Sequence, residues 1–196
     1  MRRTALTSIL AVIAFTLIFG LAYPLAMTGI AQLVFPGKAD GSKVTVNGRL
    51  VGSSLIGQDF KGDRHYFQSR PSQSEYAADT TFFSNSGPNS VEEREAVREN
   101  LAAYLVLNKP YDRSLTKEDI PVDAITMSGS GVDPEISEAN AKIQAHRIAA
   151  VRHLPLGKVE DLIAAHTNGR FLGLFGEPGV NVLQLNLALD EEAPIR

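Results

Sequence analysis

No charged side chain occurs between Arg3 and Lys38, and the stretch from Ala5 to Val34 is dominated by Leu, Ile, Ala, Val and Phe. About 20 apolar residues suffice to cross the hydrocarbon core of a bilayer, so this segment is long enough to span one. A cleavable signal peptide is the alternative, because Pro24-Leu25-Ala26 loosely resembles a cleavage site. Signal cores run to roughly 7–15 apolar residues, and this run is longer, which favours a retained anchor over 1–34. Arg2 and Arg3 precede the span, and the next basic residues, Lys38 and Lys43, are accompanied by Asp40. By the positive-inside rule the N-terminus then faces the cytoplasm and everything after about Phe35 lies outside, as for a single-pass membrane protein.

Within the span there is no Asp, Glu, Lys, Arg or His, the residues that mark ion pathways through membranes. Thr16 with Gly20 and Ala22 with Ala26 set small residues at a spacing that lets a neighbouring helix approach, and Pro24 predicts a kink. The 196 residues, 44% of them hydrophobic, leave room for one further domain, over 43–196, after a Pro/Gly linker at 35–42. A formal charge of −3 argues against nucleic acid as a partner. The absence of cysteine excludes disulfides, thiolate metal sites and cysteine nucleophiles.

In the C-terminal domain, Asn47-Gly48 between extended runs predicts a two-residue hairpin turn, with strands near 43–46 and 49–56. Residues 59–88 read as a long irregular excursion. Ser90 followed by Glu93 suggests a capping box for a helix whose stripe is Val97, Leu101, Tyr104 and Leu105. A strand is expected over 123–127, then a helix capped by Ser137 and buried through Ala141, Ala145, Ile148 and Ala149. Val159, Leu162, Ile163 and His166 give a third helix, with Asn168-Gly169 as its left-handed cap. Leu183, Leu185, Leu187 and Leu189 alternate with other residues as a half-buried strand would. The expected class is α/β, a mixed sheet with covering helices.

Ser128-Gly129-Ser130-Gly131-Val132-Asp133 is the stretch most like a phosphate cradle. It lacks the lysine of a Walker loop and the third glycine of a dinucleotide fingerprint, and Asp133 is anionic. A tight structural turn is the favoured reading, and a partner-docking loop the other. His65, His146, His153 and His166 show no close metal-ligand spacing, and no GxSxG elbow is present. No catalytic or metal-binding residues are therefore assigned. Tyr66, Phe67 and Arg70 have two readings: rings plugging the edge of the core beside a surface ion pair, or an interface anchor. Gly176-Glu177-Pro178-Gly179 reads as a turn.

Taken in order, GSSLIGQDF (52–60), YFQSRPS (66–72), SNSGP (84–88), ITMSGSGVDPEIS (125–137), QAHRIAAVR (144–152) and TNGRFLGLFGEPGVNVLQLNLALD (167–190) closely resemble KdpC, the C subunit of the Kdp potassium-transporting ATPase. Thr80-Thr81-Phe82-Phe83 departs from the small glycine-rich run that the family usually carries before SNSGP. The resemblance implies a non-catalytic accessory subunit of an ATP-driven potassium uptake pump. Its implied partners are a channel-like subunit, a P-type ATPase subunit and a small peptide subunit, besides membrane lipid. It also implies a catalytic chaperone that raises the ATP affinity of the ATPase subunit, with no cofactor of its own and ATP shared with that subunit. Shared ATP conflicts with a periplasmic domain, because ATP is cytoplasmic; indirect coupling, or action at the potassium entrance, would resolve the conflict. The contact candidates are Tyr66, Phe67, Arg70, Ser128, Gly129, Ser130, Gly131 and Asp133. The rival from another class is an independent membrane-anchored periplasmic ligand-binding protein or hydrolase.

Overall fold

The computed structural model describes residues 2–79, 85–87 and 89–195. Thr80-Thr81-Phe82-Phe83, and Ser84 and Pro88 of the SNSGP stretch, lie outside the described residues. The chain divides into two units, Met1–Ser53 and Ser54–Arg196.

In the first unit the apolar run is one continuous helical rod over Arg2–Val34, long and apolar enough to cross a membrane. It consists of α1 (Arg2–Phe15), a π-helical stretch (Thr16–Ala22) and α2 (Tyr23–Val34). Pro24 has no N–H to donate, and its ring crowds the carbonyl one turn back. The wider π turn lies just before it, and the Tyr23 N–H reaches back to the Ile18 carbonyl, five residues away. A short helix, α3 (Pro36–Ala39), occupies the expected linker. Strands β1 (Lys43–Val46) and β2 (Arg49–Ser53) then pair antiparallel, joined at Asn47 (φ 51°) and Gly48 (φ 76°). Two consecutive positive φ values are what a tight hairpin of this kind requires, so the Asn-Gly reading holds. β2 stops at Ser53, short of the expected 56.

The second unit contains α4 (Val91–Asn108), two 3₁₀ turns (Lys117–Asp119 and Val122–Ala124), β3 (Glu135–Ile136), α5 (Glu138–Arg152), α6 (Leu156–Ala165), β4 (Thr167–Asn168), β5 (Gly179–Asn181) and α7 (Val182–Glu192). The described residues of 59–88 form neither helix nor strand. Ser90 accepts from the Glu93 amide at the start of α4, though its own hydroxyl proton goes to Glu92. Ser137 accepts from the Asn140 amide at the start of α5. Both caps stand where the sequence places them.

Four expectations fail. Residues 123–127 are not a strand: the Asp123 carboxylate accepts from the Ser137 amide and hydroxyl and from Asn140, which ties the segment to the N-terminus of α5. The alternating leucines are helix α7, not a strand. Val182, Leu185, Asn186 and Leu189 are buried at helical spacing, and Asn181 caps the helix through the Gln184 amide. α6 ends at His166 rather than in a left-handed Asn168-Gly169 cap, because Thr167 and Asn168 pair with Val180 and Gly179. The architecture is thus helices combined with small sheets. The described sheets are antiparallel, of two and three strands, the latter in order β3-β5-β4, in place of one mixed sheet.

The main core gathers Ala141, Ala145 and Ile148 of α5, Val159 and Ile163 of α6, Val180 of β5 and Leu185 and Leu189 of α7 around Phe67. Phe67 comes from the irregular segment and has no exposed surface. A smaller cluster joins Tyr104 of α4 to Leu115, Ile120 and Ala124.

Candidate functional site

The irregular segment 62–72 lies over α5 and α7, and buried polar side chains hold it there. Asn186 of α7 pairs with the backbone of Phe67: its Oδ1 accepts from the Phe67 N–H at 2.8 Å and its Nδ2 donates to the Phe67 carbonyl at 2.9 Å. Gln144 of α5 does the same for the next residue, accepting from the Gln68 N–H at 2.7 Å and donating to its carbonyl at 3.1 Å. Amide side chains from two helices thus satisfy an extended stretch as neighbouring strands would in a sheet. Such pairing is needed because buried backbone groups cannot be left without partners.

Two arginines complete the clamp. Arg147 is fully buried and donates to the carbonyls of Arg64 and Tyr66, to Asn108 Oδ1 and to Gln144 Oε1. Burial lowers its pKa to about 10, which leaves the guanidinium protonated near neutral pH. Arg152 donates to the His65 and Ala193 carbonyls and pairs with Asp190 at 2.8 Å. Its guanidinium also lies 4.9 Å from the centroid of the Tyr66 ring. The Tyr66 hydroxyl donates to Asp190, and burial, then the Asp190 carboxylate, raises the phenol above its ordinary pKa.

The other side of the segment meets residues 127–133. Arg70 pairs with Asp133 at 3.1 Å and donates to the Met127 carbonyl. The Ser128 N–H donates to the Pro71 carbonyl, and Ser72 Oγ donates to the Gly131 carbonyl. Gly131 adopts φ 72° with Ser74 Oγ beside it, so a side chain at 131 would be both strained and crowded. Within the loop, the Gly131 N–H goes to the Ser128 carbonyl, the Val132 N–H to Ser130 Oγ and the Asp133 N–H to Ser128 Oγ. These three amides are committed internally and the Asp133 carboxylate stands among them, an arrangement unlike a phosphate cradle.

The contact candidates therefore have unequal access to a partner. Gly129 and Ser130 are exposed; Tyr66, Arg70 and Asp133 are half-buried; Phe67, Ser128 and Gly131 are buried. Phe67 packs in the core and Arg70 is ion-paired, the arrangement expected if the rings seal the core edge. The histidines are dispersed in role: His65 Nδ1 lies 2.8 Å from Asp63, His153 is the left-handed cap of α5, and His166 contacts the Leu162 carbonyl. Among the described residues no group of His, Cys, Asp and Glu could hold a metal.

A groove of about 580 Å³ runs between this segment and α4. Gln68, Gln144, Asn140 and Tyr104 line it, but each is engaged: Gln68 with Gly62, Asp63 and Tyr66, and Tyr104 with Asn140. Ala103, Val106, Leu107 and Pro110 supply apolar wall, and Ser69, Asn100, Tyr111 and the exposed Arg64 also line it.

Sequence reasoning missed the clamp residues Gln144, Arg147, Arg152 and Asn186. Their signal was present, since Gln144 and Arg147 interrupt the Ala141-Ala145-Ile148 stripe, where a polar residue must find a buried partner.

The family described as "KdpC: K+-transporting ATPase, c chain" has a model that matches residues 5–191. The chain belongs to the KdpC family. It is 46% identical over 195 residues to the potassium-transporting ATPase KdpC subunit of Methylobacterium nodulans, covering 92% of this chain and 93% of that one. It is 45% identical over 192 residues to the same subunit of Mycobacterium tuberculosis, covering 97% and 99%. With that of Caldanaerobacter subterraneus it shares 46% identity over 184 residues, 92% of this chain and 93% of the relative. The match over residues 5–191 takes in most of the apolar rod and the whole of the clamped segment.

Proposed function

We propose that this chain is the non-catalytic accessory subunit of an ATP-driven potassium uptake complex, anchored in a bacterial inner membrane by the helical rod 2–34. Arg2 and Arg3 put its N-terminus in the cytoplasm and the unit from Ser54 onward in the periplasm. There it assembles and stabilises a pump made with a channel-like subunit, a P-type ATPase subunit and a small peptide subunit. It acts as a catalytic chaperone that raises the ATP affinity of the ATPase subunit. The observation that carries this reading is the family match over residues 5–191, joined to a clamp whose polar groups face one another rather than a substrate.

Because the Gly131, Val132 and Asp133 amides bond within the loop and the Asp133 carboxylate stands among them, the effect on ATP is transmitted through the partner subunits instead of by nucleotide contact in this domain. Gly129, Ser130, Tyr66, Arg70 and Asp133 are the contact positions, and Phe67, Ser128 and Gly131 hold them in place. The apolar groove beside α4 supports a second reading, an independent membrane-anchored binding protein.

Tagged full-length chain expressed with the remaining pump genes is expected to recover the larger subunits. Leaving the chain out should raise the ATP concentration needed for half-maximal potassium-stimulated hydrolysis. A C-terminal reporter fusion should report a periplasmic location. Recovery of the chain alone, bound to a small ligand, would favour the second reading.

A further inference from the structure

Charge is divided unevenly along the chain. Of the 19 Lys and Arg side chains residues 1–53 hold five, but of the 22 Asp and Glu they hold one, Asp40. The remainder is accordingly acidic. The three basic residues that follow the rod in the first unit, Lys38, Lys43 and Arg49, are exposed and form no ion pair among the described residues. Asp40, the acid beside them, is taken up by Gln32, whose Nε2 donates to its Oδ1 at 3.1 Å.

The length of the rod fixes the depth of these cations. Its 33 residues rise about 1.5 Å each, for a total of about 50 Å. The hydrocarbon core of a bilayer is about 30 Å thick, and about 40–45 Å with its headgroups. At common tilts of about 20–40° the rod covers about 38–47 Å of depth, so its two ends fall in the two headgroup layers. Arg2 and Arg3 stand at one end, and Phe35 and Lys38 follow the other.

The chain beyond Val34 does not swing free. The Phe35 N–H donates to the Ala31 carbonyl at 2.8 Å, that of Ala39 to Phe35 at 2.9 Å and that of Ser42 to Gly37 at 2.8 Å. Ser53 Oγ, at the end of β2, donates to the Gly41 carbonyl at 2.7 Å. With the Gln32–Asp40 bond, these contacts tie the rod end, α3 and the base of the hairpin into one joint, which holds the hairpin at the membrane surface. Near the hairpin turn, Val46 and Leu50 are 37% and 57% exposed beside Arg49, a mixture of apolar and cationic groups that suits the interfacial layer. An anionic leaflet attracts Lys and Arg that lie within a Debye length of it, and the acidic remainder of the chain has the opposite preference.

We infer that Lys38, Lys43 and Arg49 form a basic collar that binds the phosphates of anionic phospholipids in the leaflet at the C-terminal end of the rod. This rests on the membrane-anchor reading and goes further by naming the ligand and the residues that meet it. The chain has no cysteine, so Thr45→Cys on β1 takes a single fluorophore. Labelled full-length protein is placed in vesicles of phosphatidylglycerol and phosphatidylcholine in equal parts, or of phosphatidylcholine alone, each with the same small share of a lipid carrying a nitroxide quencher on its headgroup.

Quenching is expected to be about twofold stronger in the anionic vesicles. Lys38→Gln/Lys43→Gln/Arg49→Gln, or raising salt from about 0.05 to about 0.5 M, should remove that difference. Lys61→Gln/Lys109→Gln/Arg113→Gln takes the same charge from exposed positions of the second unit and should leave it unchanged. Equal quenching in the two kinds of vesicle, or a difference that survives the collar variant, overturns the inference when the unmodified chain resists extraction by alkaline carbonate. Release of the unmodified chain by that wash overturns the membrane-anchor reading itself, and the collar with it.

Discussion

Replacing Asn186 by leucine tests whether the segment around Phe67 is held by side-chain amides acting as a strand edge. Asn186 is 1% exposed and makes both backbone bonds of Phe67. Leucine is close in shape but supplies neither donor nor acceptor, so a buried N–H and a buried carbonyl lose their partners. Each costs about 1–3 kcal/mol, or roughly 2–6 together. The added apolar surface returns about 1 kcal/mol, for a net loss of roughly 1–5. For a chain of this size that lowers Tm by about 2–20 °C. Full-length protein in detergent, followed by far-UV circular dichroism under heat and in urea, gives both numbers. Gln184→Leu, on the exposed side of the same helix, is the control and should change stability by less than about 0.5 kcal/mol. If Asn186→Leu unfolds within about 1 kcal/mol of the parent, the clamp is not what holds the segment.

Two further perturbations probe the neighbouring contacts. In Gly57→Ala the new methyl group would fall on the Asp133 carbonyl oxygen, backbone that cannot swing aside, so a loss of about 1–3 kcal/mol is expected. Gly129→Ala meets nothing within 4 Å and should be near neutral; equal stability of the two variants in urea refutes the close approach. Tyr104, buried against Asn140, has its pKa raised above the ordinary 10.0, first by burial. The fold thus favours the neutral phenol, so this contribution is intact below about pH 10 and is lost as pH climbs through the raised value. Tyr104→Phe should start about 1 kcal/mol less stable and show a flatter alkaline decline; parallel declines in the two proteins count against the assignment.

Features governed by neighbours in sequence were legible. The Asn47-Gly48 turn and the caps at Ser90 and Ser137 depend on a few adjacent residues, and each forms where its residues stand. The failures were decided at a distance. Asp123 lies in a run that reads as extended, but its carboxylate is drawn to the start of α5 fourteen residues away. Leucines at 183, 185, 187 and 189 fit a period of two, yet the 182-185-189 spacing also fits a helix, and the Asn181 cap with the core contact of Leu185 and Leu189 selects it. At the candidate site, YFQSRPS stood out by its aromatics and arginine. Its partners did not, because Gln144, Arg147 and Asn186 lie 76 to 119 residues beyond the backbone groups they satisfy. Exposure of Phe171 and Phe175 was not legible either, since it is a property of the folded unit.

The π-helical stretch changes what a neighbouring helix could follow along the rod. Each such turn accommodates one more residue than an ordinary one, and one inserted residue rotates the pattern of side chains by about 100°. A contact stripe traced along α1 therefore does not continue on the same azimuth into α2. A companion helix gripping the first half would have to leave the seam, or cross it at an angle, before reaching Ala26.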